Sequence, residues 1–419
     1  MSTKYWIGGA PAVKQIQTIS ITAFDAATTY KATIGGQTIS QVGTTDANTT
    51  ATNLKNQLAA STHPYFAAVV WTVATNVVTG TAVDAGEPFV ATASVTGGTG
   101  TISTTVTTAN SGPNDWNVAT NWSDGVVPVD ADDVIIDRGP NICWGLDQNT
   151  VDLTTLSVLQ TYTGRIGLNK RRLATNADAS ADTATAVEYR DDYLKISSTK
   201  IDLGFNLTSS SAAGSGRIKI NNTKAGASDL TVHATGNSSV DTDLPAIRYL
   251  ANNASANVYI RSAQAGIGIA ADSFTETSTL GKVSISDNTE ASKVVTGPGL
   301  TLTTWEQNGG QNVMQVTSSG VTTVEVNGGQ LTTEGDYTIT TMNANAGTVR
   351  PNNIKTAGNA ITTLNIDGGT VDGTKSTRAR TWATVNHNTG TRRLDKDIVT
   401  ITTLTQAAGL YEATIRKAA

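Results

Sequence analysis

The clearest pattern of apolar and polar positions lies between Leu302 and the C-terminus. Six segments there fit one template: apolar, Thr or Ala, Thr, apolar, two variable residues, Asn or Asp, one variable residue, Gly. They begin at Leu302, Val321, Ile339, Ile361, Trp382 and Ile401, spaced 19, 18, 22, 21 and 19 residues apart. Repetition at this period is the signature of a solenoid. Strand alternation places Trp305, Val324, Met342, Leu364, Val385 and Leu404 on one face, as an apolar column inside the coil. The preceding Thr304, Thr323, Thr341, Thr363, Thr384 and Thr403 then form an outward β-branched ladder. Asn308, Asn327, Asn345, Asp367 and Asn388 mark a bend, with Ala407 in the last copy, and predict a ladder of stacked amides. Gly310, Gly329, Gly347, Gly369, Gly390 and Gly409 supply a turn with positive φ or a close backbone approach. No Leu-rich helical half-repeat is present, and about 20 residues cannot hold a four-stranded propeller blade. The prediction is a mainly β protein built on a parallel β-helix.

Upstream, Leu153 to Val158 matches the first half of the template. Between Ala174 and Lys293 the period blurs, although short alternating runs such as Arg217 to Ile220, Asp229 to Val232 and Asn257 to Ile260 recur between Gly, Ser and Asn turns. These read as irregular coils of the same solenoid, with an exposed loop at 174–185. A dozen coils rising about 4.8 Å each give a rod about 60 Å long. Residues 16–108 differ. Strand-like runs flank one helical stretch, Asn48 to Ala60, with Asp46 as its cap and Leu54 and Leu58 on one face. The domains expected are therefore an N-terminal α+β docking module (1–112), a Trp-containing entry segment (113–150), irregular coils (151–300) and regular coils (301–419). Trp6-Ile7-Gly8-Gly9 is a candidate to join the entry segment, with the module inserted between the two.

Composition agrees with β structure: charged residues are 15%, aromatics 5% and hydrophobics 38% of the chain, and Pro is scarce. A net charge of −5 argues against a nucleic-acid partner. Lys170-Arg171-Arg172 and Arg392-Arg393 are short basic clusters that read as solvated loops. One cysteine, Cys143, permits no intrachain disulfide and reads as a small buried hydrophobe. The segment from Met1 to Gly9 has no basic and apolar leader pattern, and no run reaches about 18 apolar residues. The expectation is a protein not exported by the general secretion route and not inserted in a membrane.

Candidate chemistry is sparse. His63, His233 and His387 are far apart and show no metal-ligand spacing, and no phosphate loop or nucleophile elbow occurs. No metal and no cofactor is expected. The catalytic candidates are Glu306 and Glu325, which share a template position in adjacent coils and so lie about 4.8 Å apart. Paired carboxylates about 5–5.5 Å apart serve retaining glycosidases. The following coils carry Asn343, Asn365, Asn386 and Thr405 at that position, which favours a solvated polar ladder and a protein that is not an enzyme.

Two stretches carry a family resemblance. Thr29-Tyr30-Lys31-Ala32-Thr33-Ile34-Gly35-Gly36, the helix from Thr50 to Ala60, and Asp84-Ala85-Gly86-Glu87-Pro88-Phe89 resemble a module of phage virion proteins and bacterial surface proteins. Asp115-Trp116-Asn117-Val118-Ala119-Thr120-Asn121-Trp122-Ser123, with Val127-Pro128 and Asp132-Asp133-Val134-Ile135-Ile136, is similar to the entry segment that caps the first coil of β-helical phage and bacterial surface proteins. Together they cover about a third of the chain. The resemblance implies an extracellular or virion structural context, and the missing leader pattern and sparse chemistry favour a structural protein of a bacteriophage virion, assembled in the host cytoplasm as a capsid decoration protein or fibre. Its partners would be the major capsid or tail protein, further copies of itself in a homotrimer, and host surface glycans. A bacterial adhesin or surface-layer protein, or a glycan-cleaving tailspike using Glu306 and Glu325, are the alternatives. Trp116 and Trp122 are expected to plug the open end of the apolar column.

Overall fold

The computed structural model describes residues 2–168, 171–173, 187–189, 192–205, 218–233, 246–261, 266–270, 276–286, 293–375, 378–410 and 413–414. The loop expected at 174–185 and the basic residue Lys170 lie outside them. The chain forms a parallel β-helix with a small antiparallel module inserted near its N-terminus.

One column of parallel strands runs the length of the solenoid. Its register passes through Thr3, Asp133, Thr155, Lys200, Asp229, Asn257, Lys282, Thr304, Thr323, Thr341, Thr363, Thr384 and Thr403. At about 4.8 Å per step this column is about 60 Å long. The next residue on each strand points inward. From Val134 to Val385 the side chains at this position are fully buried, Trp305 and Met342 among them. A second parallel column runs through Ile218–Asn222, Ile247–Ala251, Gly266–Ile269, Lys293–Thr296, Gln311–Met314, Gln330–Thr333 and Thr348–Pro351. The register inferred from the template is the register of the stack: Val321 pairs with Ile339, Ile339 with Ile361, Ile361 with Trp382 and Trp382 with Ile401.

Stacking explains the glycines. Gly310, Gly329, Gly347, Gly390 and Gly409 have φ between +68° and +87°. A Cβ on Gly347 would also lie 2.4 Å from the carbonyl oxygen of Gly329 in the coil below. Gly369 departs from the expected turn. Gly368 takes φ +154° in its place, where strand Ile361–Asp372 shifts register between Ile366 and Thr370.

The N-terminal module has a four-stranded sheet (Val69–Ala74, Val77–Ala82, Ile16–Ala23, Thr101–Thr108) and a three-stranded sheet (Gln37–Val42, Thr29–Ile34, Ala91–Thr96). The predicted helix spans Ala47–Ala60. Asp46 caps it, accepting from the Thr49 amide at 2.7 Å, and Leu54 and Leu58 are buried against the sheets. Gln15 and Gln17 are buried and hydrogen-bond the backbone of Phe89 and Ala91 through both amide atoms, so their side chains bridge the two sheets.

The first boundary needs correction. Thr3–Tyr5 pairs in parallel with Asp133–Ile136, so the chain opens on the first rung of the solenoid and not within the module. Inter-strand pairing decides this, and a strand of three residues carries too little pattern to announce it.

Two substitutions in the glycine column separate backbone strain from stacking. Gly409 has φ +85° but nothing within 4 Å of an added Cβ, so Gly409→Ala is expected to cost about 1 kcal/mol. Gly347→Ala adds the clash with Gly329 and is expected to cost about 2–4 kcal/mol, read as the difference in urea midpoints.

Candidate functional site

Two features of the solenoid are built for more than bulk burial: the closed N-terminal end and the outward polar ladders. At the closed end, Trp6, Trp116 and Trp122 are all but fully buried and belong to the solenoid core. Trp122 meets Trp6 and Trp116 edge-on, with ring centroids 5.2 and 4.7 Å away. Its Nε1 donates to the Trp116 carbonyl at 2.8 Å. The inward residue of the first rung is Lys4, 4% exposed, whose ammonium pairs with Asp124 and holds that carboxyl below its usual range. The apolar column thus ends in an aromatic layer and an ion pair.

Asn121 fastens this end to the module. Its Oδ1 accepts from the Ala10 amide at 2.8 Å, and its Nδ2 donates to the carbonyls of Gly112 and Asp115 at 2.8 and 2.7 Å. Ala10 belongs to the segment leaving the solenoid for the module and Gly112 to the returning segment. One fully buried side chain therefore ties both crossings to the cap. The antiparallel bridge of Val13 with Ser111 and the close approach of Gly112 to Gly86 extend the junction into the module. The sequence singles out Trp116 and Trp122 by residue type. Nothing local distinguishes Asn121, because its partner Ala10 is 111 positions away.

The structure brings Glu306 and Glu325 together as direct neighbours in register. Both carboxylates are engaged by the ladder. Glu306 pairs with the Lys282 ammonium and accepts from Ser284 Oγ at 3.2 Å. Glu325 accepts from Asn343 Nδ2 at 3.5 Å, Asn343 from Asn365 at 2.8 Å, and Asn365 from Asn386 at 2.9 Å. The predicted bend ladder forms too: Asn327 donates to Asn308 at 3.1 Å, Asn345 to Asn327 at 2.8 Å, and Asn388 to Asp367 at 2.7 Å.

The histidines stay dispersed. His63 caps the short helix Pro64–Ala67, His233 faces Asp202 at 3.3 Å, and His387 is buried beside the Gly390 carbonyl. Arg392, expected on a solvated loop, is fully buried, because the strand Arg380–Leu394 turns it inward between coils. Cys143 is half-buried, and desolvation raises its thiol pKa. Among the described residues, no group of three or more His, Cys, Asp or Glu converges as a metal site requires.

Replacing Asn121 by Ala leaves the Ala10 amide without its acceptor and takes one of two donors from the Gly112 and Asp115 carbonyls, and is expected to cost about 2–3 kcal/mol. Limited proteolysis should then cut first at the junction near Ala10 and Gly112.

The Lys282–Glu306 pair makes a smaller, pH-dependent contribution. The hydrogen bond that Lys282 donates to the Glu306 carboxylate raises the Lys282 pKa above its ordinary value. A raised lysine stabilises fully below its unfolded pKa and loses that contribution as pH climbs through the folded value. With about a third of each side chain exposed, the pair is worth about 0.5 kcal/mol. Glu306→Gln should therefore lower the unfolding midpoint slightly at pH 8, and the difference from the parent should shrink as the pH climbs past the ordinary lysine range. No protein-family model, curated protein or solved structure matches the chain.

Proposed function

We propose that the chain is a structural protein of a bacteriophage virion, a capsid decoration protein or fibre held to the particle by its N-terminal module. The observation that carries this reading is the insertion of that module into the capped end of the solenoid. Two adjacent segments, clamped by Asn121, join the module to the first coils. A capsid or tail protein that grips the module therefore holds the rod at its closed end and fixes its direction. The outward Thr and Asn ladders are left along the shaft, available to sister subunits of a homotrimer or to host surface glycans. The resemblance of the module and entry segment to phage virion proteins supports the same reading.

A glycan-cleaving tailspike is the second reading, and the in-register Glu306 and Glu325 are the observation that favours it. Their engagement by Lys282, Ser284 and Asn343 weighs toward a ladder role.

Negative-stain electron microscopy of the purified protein beside its native particle tests the proposal. Rods about 60 Å long attached to a capsid or tail at one end, with a light-scattering mass of three chains, are the expected result. Free rods with no particle association would overturn it and favour a bacterial adhesin or surface-layer protein. Glycan cleavage that Glu306→Gln and Glu325→Gln each abolish would establish the tailspike.

A further inference from the structure

The sequence holds two Asn-Gly pairs, Asn308-Gly309 and Asn327-Gly328, and the stack sets one on the other at the bend. An asparagine before glycine is chemically labile. The backbone nitrogen of the next residue can attack the side-chain Cγ, and glycine has no Cβ to crowd that approach. Both asparagines are exposed at the bend. Among the described residues, neither the Gly309 nor the Gly328 amide donates to a backbone carbonyl, so neither nitrogen is tied up.

The two pairs differ in how the side chain is held. Asn327 is held at both ends: its Nδ2 donates to Asn308 Oδ1 at 3.1 Å, and its Oδ1 accepts from Asn345 Nδ2 at 2.8 Å. Asn308 is the foot of this run. Its Oδ1 accepts from Asn327, and its Nδ2 has no hydrogen-bond partner among the described residues. The bond between the two asparagines is common to both, so Asn327 carries one more than Asn308. One net hydrogen bond corresponds to about fivefold in the population of the released side chain. The other two amide runs finish on carboxylates, Asn343 on Glu325 and Asn388 on Asp367. An aspartate in place of Asn308 would go on accepting from Asn327, through a stronger, charge-assisted bond.

We propose that Asn308 is a site of spontaneous deamidation in the folded protein, which converts the foot of the bend ladder from an amide to a carboxylate. The Gly309 nitrogen bonds to Asn308 Cγ and closes a succinimide, while Nδ2 leaves as ammonia with the proton of that nitrogen. Water then opens the ring in one of two ways. Breaking the new bond at Cγ gives aspartate; breaking the original peptide bond gives isoaspartate, with a main chain one carbon longer. The stack selects between them. A Cβ on Gly328 would collide with the Asn308 carbonyl oxygen, and one on Gly329 with the Gly309 carbonyl carbon and the Gly310 oxygen. The coil above therefore lies directly on this peptide and leaves no room for a longer main chain, so aspartate is the product. Each copy gains one negative charge on its shaft, slowly and irreversibly. The reaction does not depend on where the rod is mounted, so its test is separate from the microscopy.

The intact chain would be aged in mildly alkaline buffer, once folded and once unfolded in urea, and digested after glutamate. Cleavage at Glu306 and Glu325 puts Asn308 and Asn327 on separate peptides. Mass spectrometry reads the amide-to-acid gain, and isoaspartyl methyltransferase labelling separates the two products. In the folded chain Asn308 should convert about fivefold faster than Asn327, mainly to aspartate. In urea the two should convert at similar rates with isoaspartate in excess. Asn345→Ala frees Asn327 Oδ1 and should bring its rate in the folded chain close to that of Asn308, and Asn308→Asp should melt no lower than the parent. No conversion of Asn308 in the folded chain, equal or faster conversion of Asn327, or isoaspartate as the main folded-state product would each overturn the proposal. If Asn345→Ala fails to fold, the folded and urea rates of the parent chain decide it.

Discussion

Every part of the solenoid answers to one constraint: each residue of a coil sits about 4.8 Å from its counterparts in the coils below and above. A residue type is tolerated at a column position only if it can neighbour its own kind. Apolar side chains meet this by burial and threonines by β-branched packing. Asparagines meet it because one amide both donates and accepts. Like charges do not meet it. The first outward column accordingly alternates, with Lys200 beside Asp229 and Asn257 between Asp229 and Lys282. Where two like charges do stack, extra partners arrive from the flank. Lys219 and Arg248 are in register and buried, and Glu276 pairs with Arg248 while both cations lie over the Tyr193 ring. Glu306 and Glu325 are in register, and Lys282 and Asn343 answer them.

The same constraint makes the ends different from the middle. Inward residues from Val134 to Val385 have a coil on each side, whereas Leu404 in the last described rung is 44% exposed. At the opposite end the aromatic layer of Trp6, Trp116 and Trp122 does what the next coil would have done. Closing the end with segments that lead into and out of a separate module makes one set of contacts serve two purposes. The aromatic layer that shields the core also orients the module, through Asn121 and the paired segments beside it.

What the sequence discloses follows from this. Regular coils are legible because Thr and Gly return at fixed offsets, and the periods read from 302 onward are the observed register. Irregular coils are not, because the interval between register partners stretches, with Thr155 paired to Lys200 and Lys200 to Asp229. Loops of different length erase a period without changing the stack. Helix Ala47–Ala60 is legible from its cap and its Leu54 and Leu58 spacing, both local signals. Asn121 is not, since its partners Ala10 and Gly112 come from opposite sides of the inserted module. Arg392 misleads for a related reason. A basic pair looks like a surface loop until the coil turns one of the two inward.

The direction of the amide ladders accounts for the two glutamates without any reaction chemistry. Asn386, Asn365 and Asn343 each donate toward the N-terminal side, so the run must finish on a group that accepts without needing to donate. A further amide would pass the same demand to the next coil, and an apolar residue would leave the Asn343 amide without its acceptor. Glu325 ends the run as an acceptor-only carboxylate. Asp367 plays the same part for Asn388 in the bend column. A carboxylate at the foot of a ladder carries a charge that its neighbour below must tolerate, and here that neighbour is another carboxylate, Glu306. Lys282, one rung lower again and one outward column across, supplies the compensating cation. Charge, amide polarity and register are thus satisfied together over consecutive coils, and the pair that resembles a hydrolytic site by spacing is the junction where an amide ladder gives way to ion pairing.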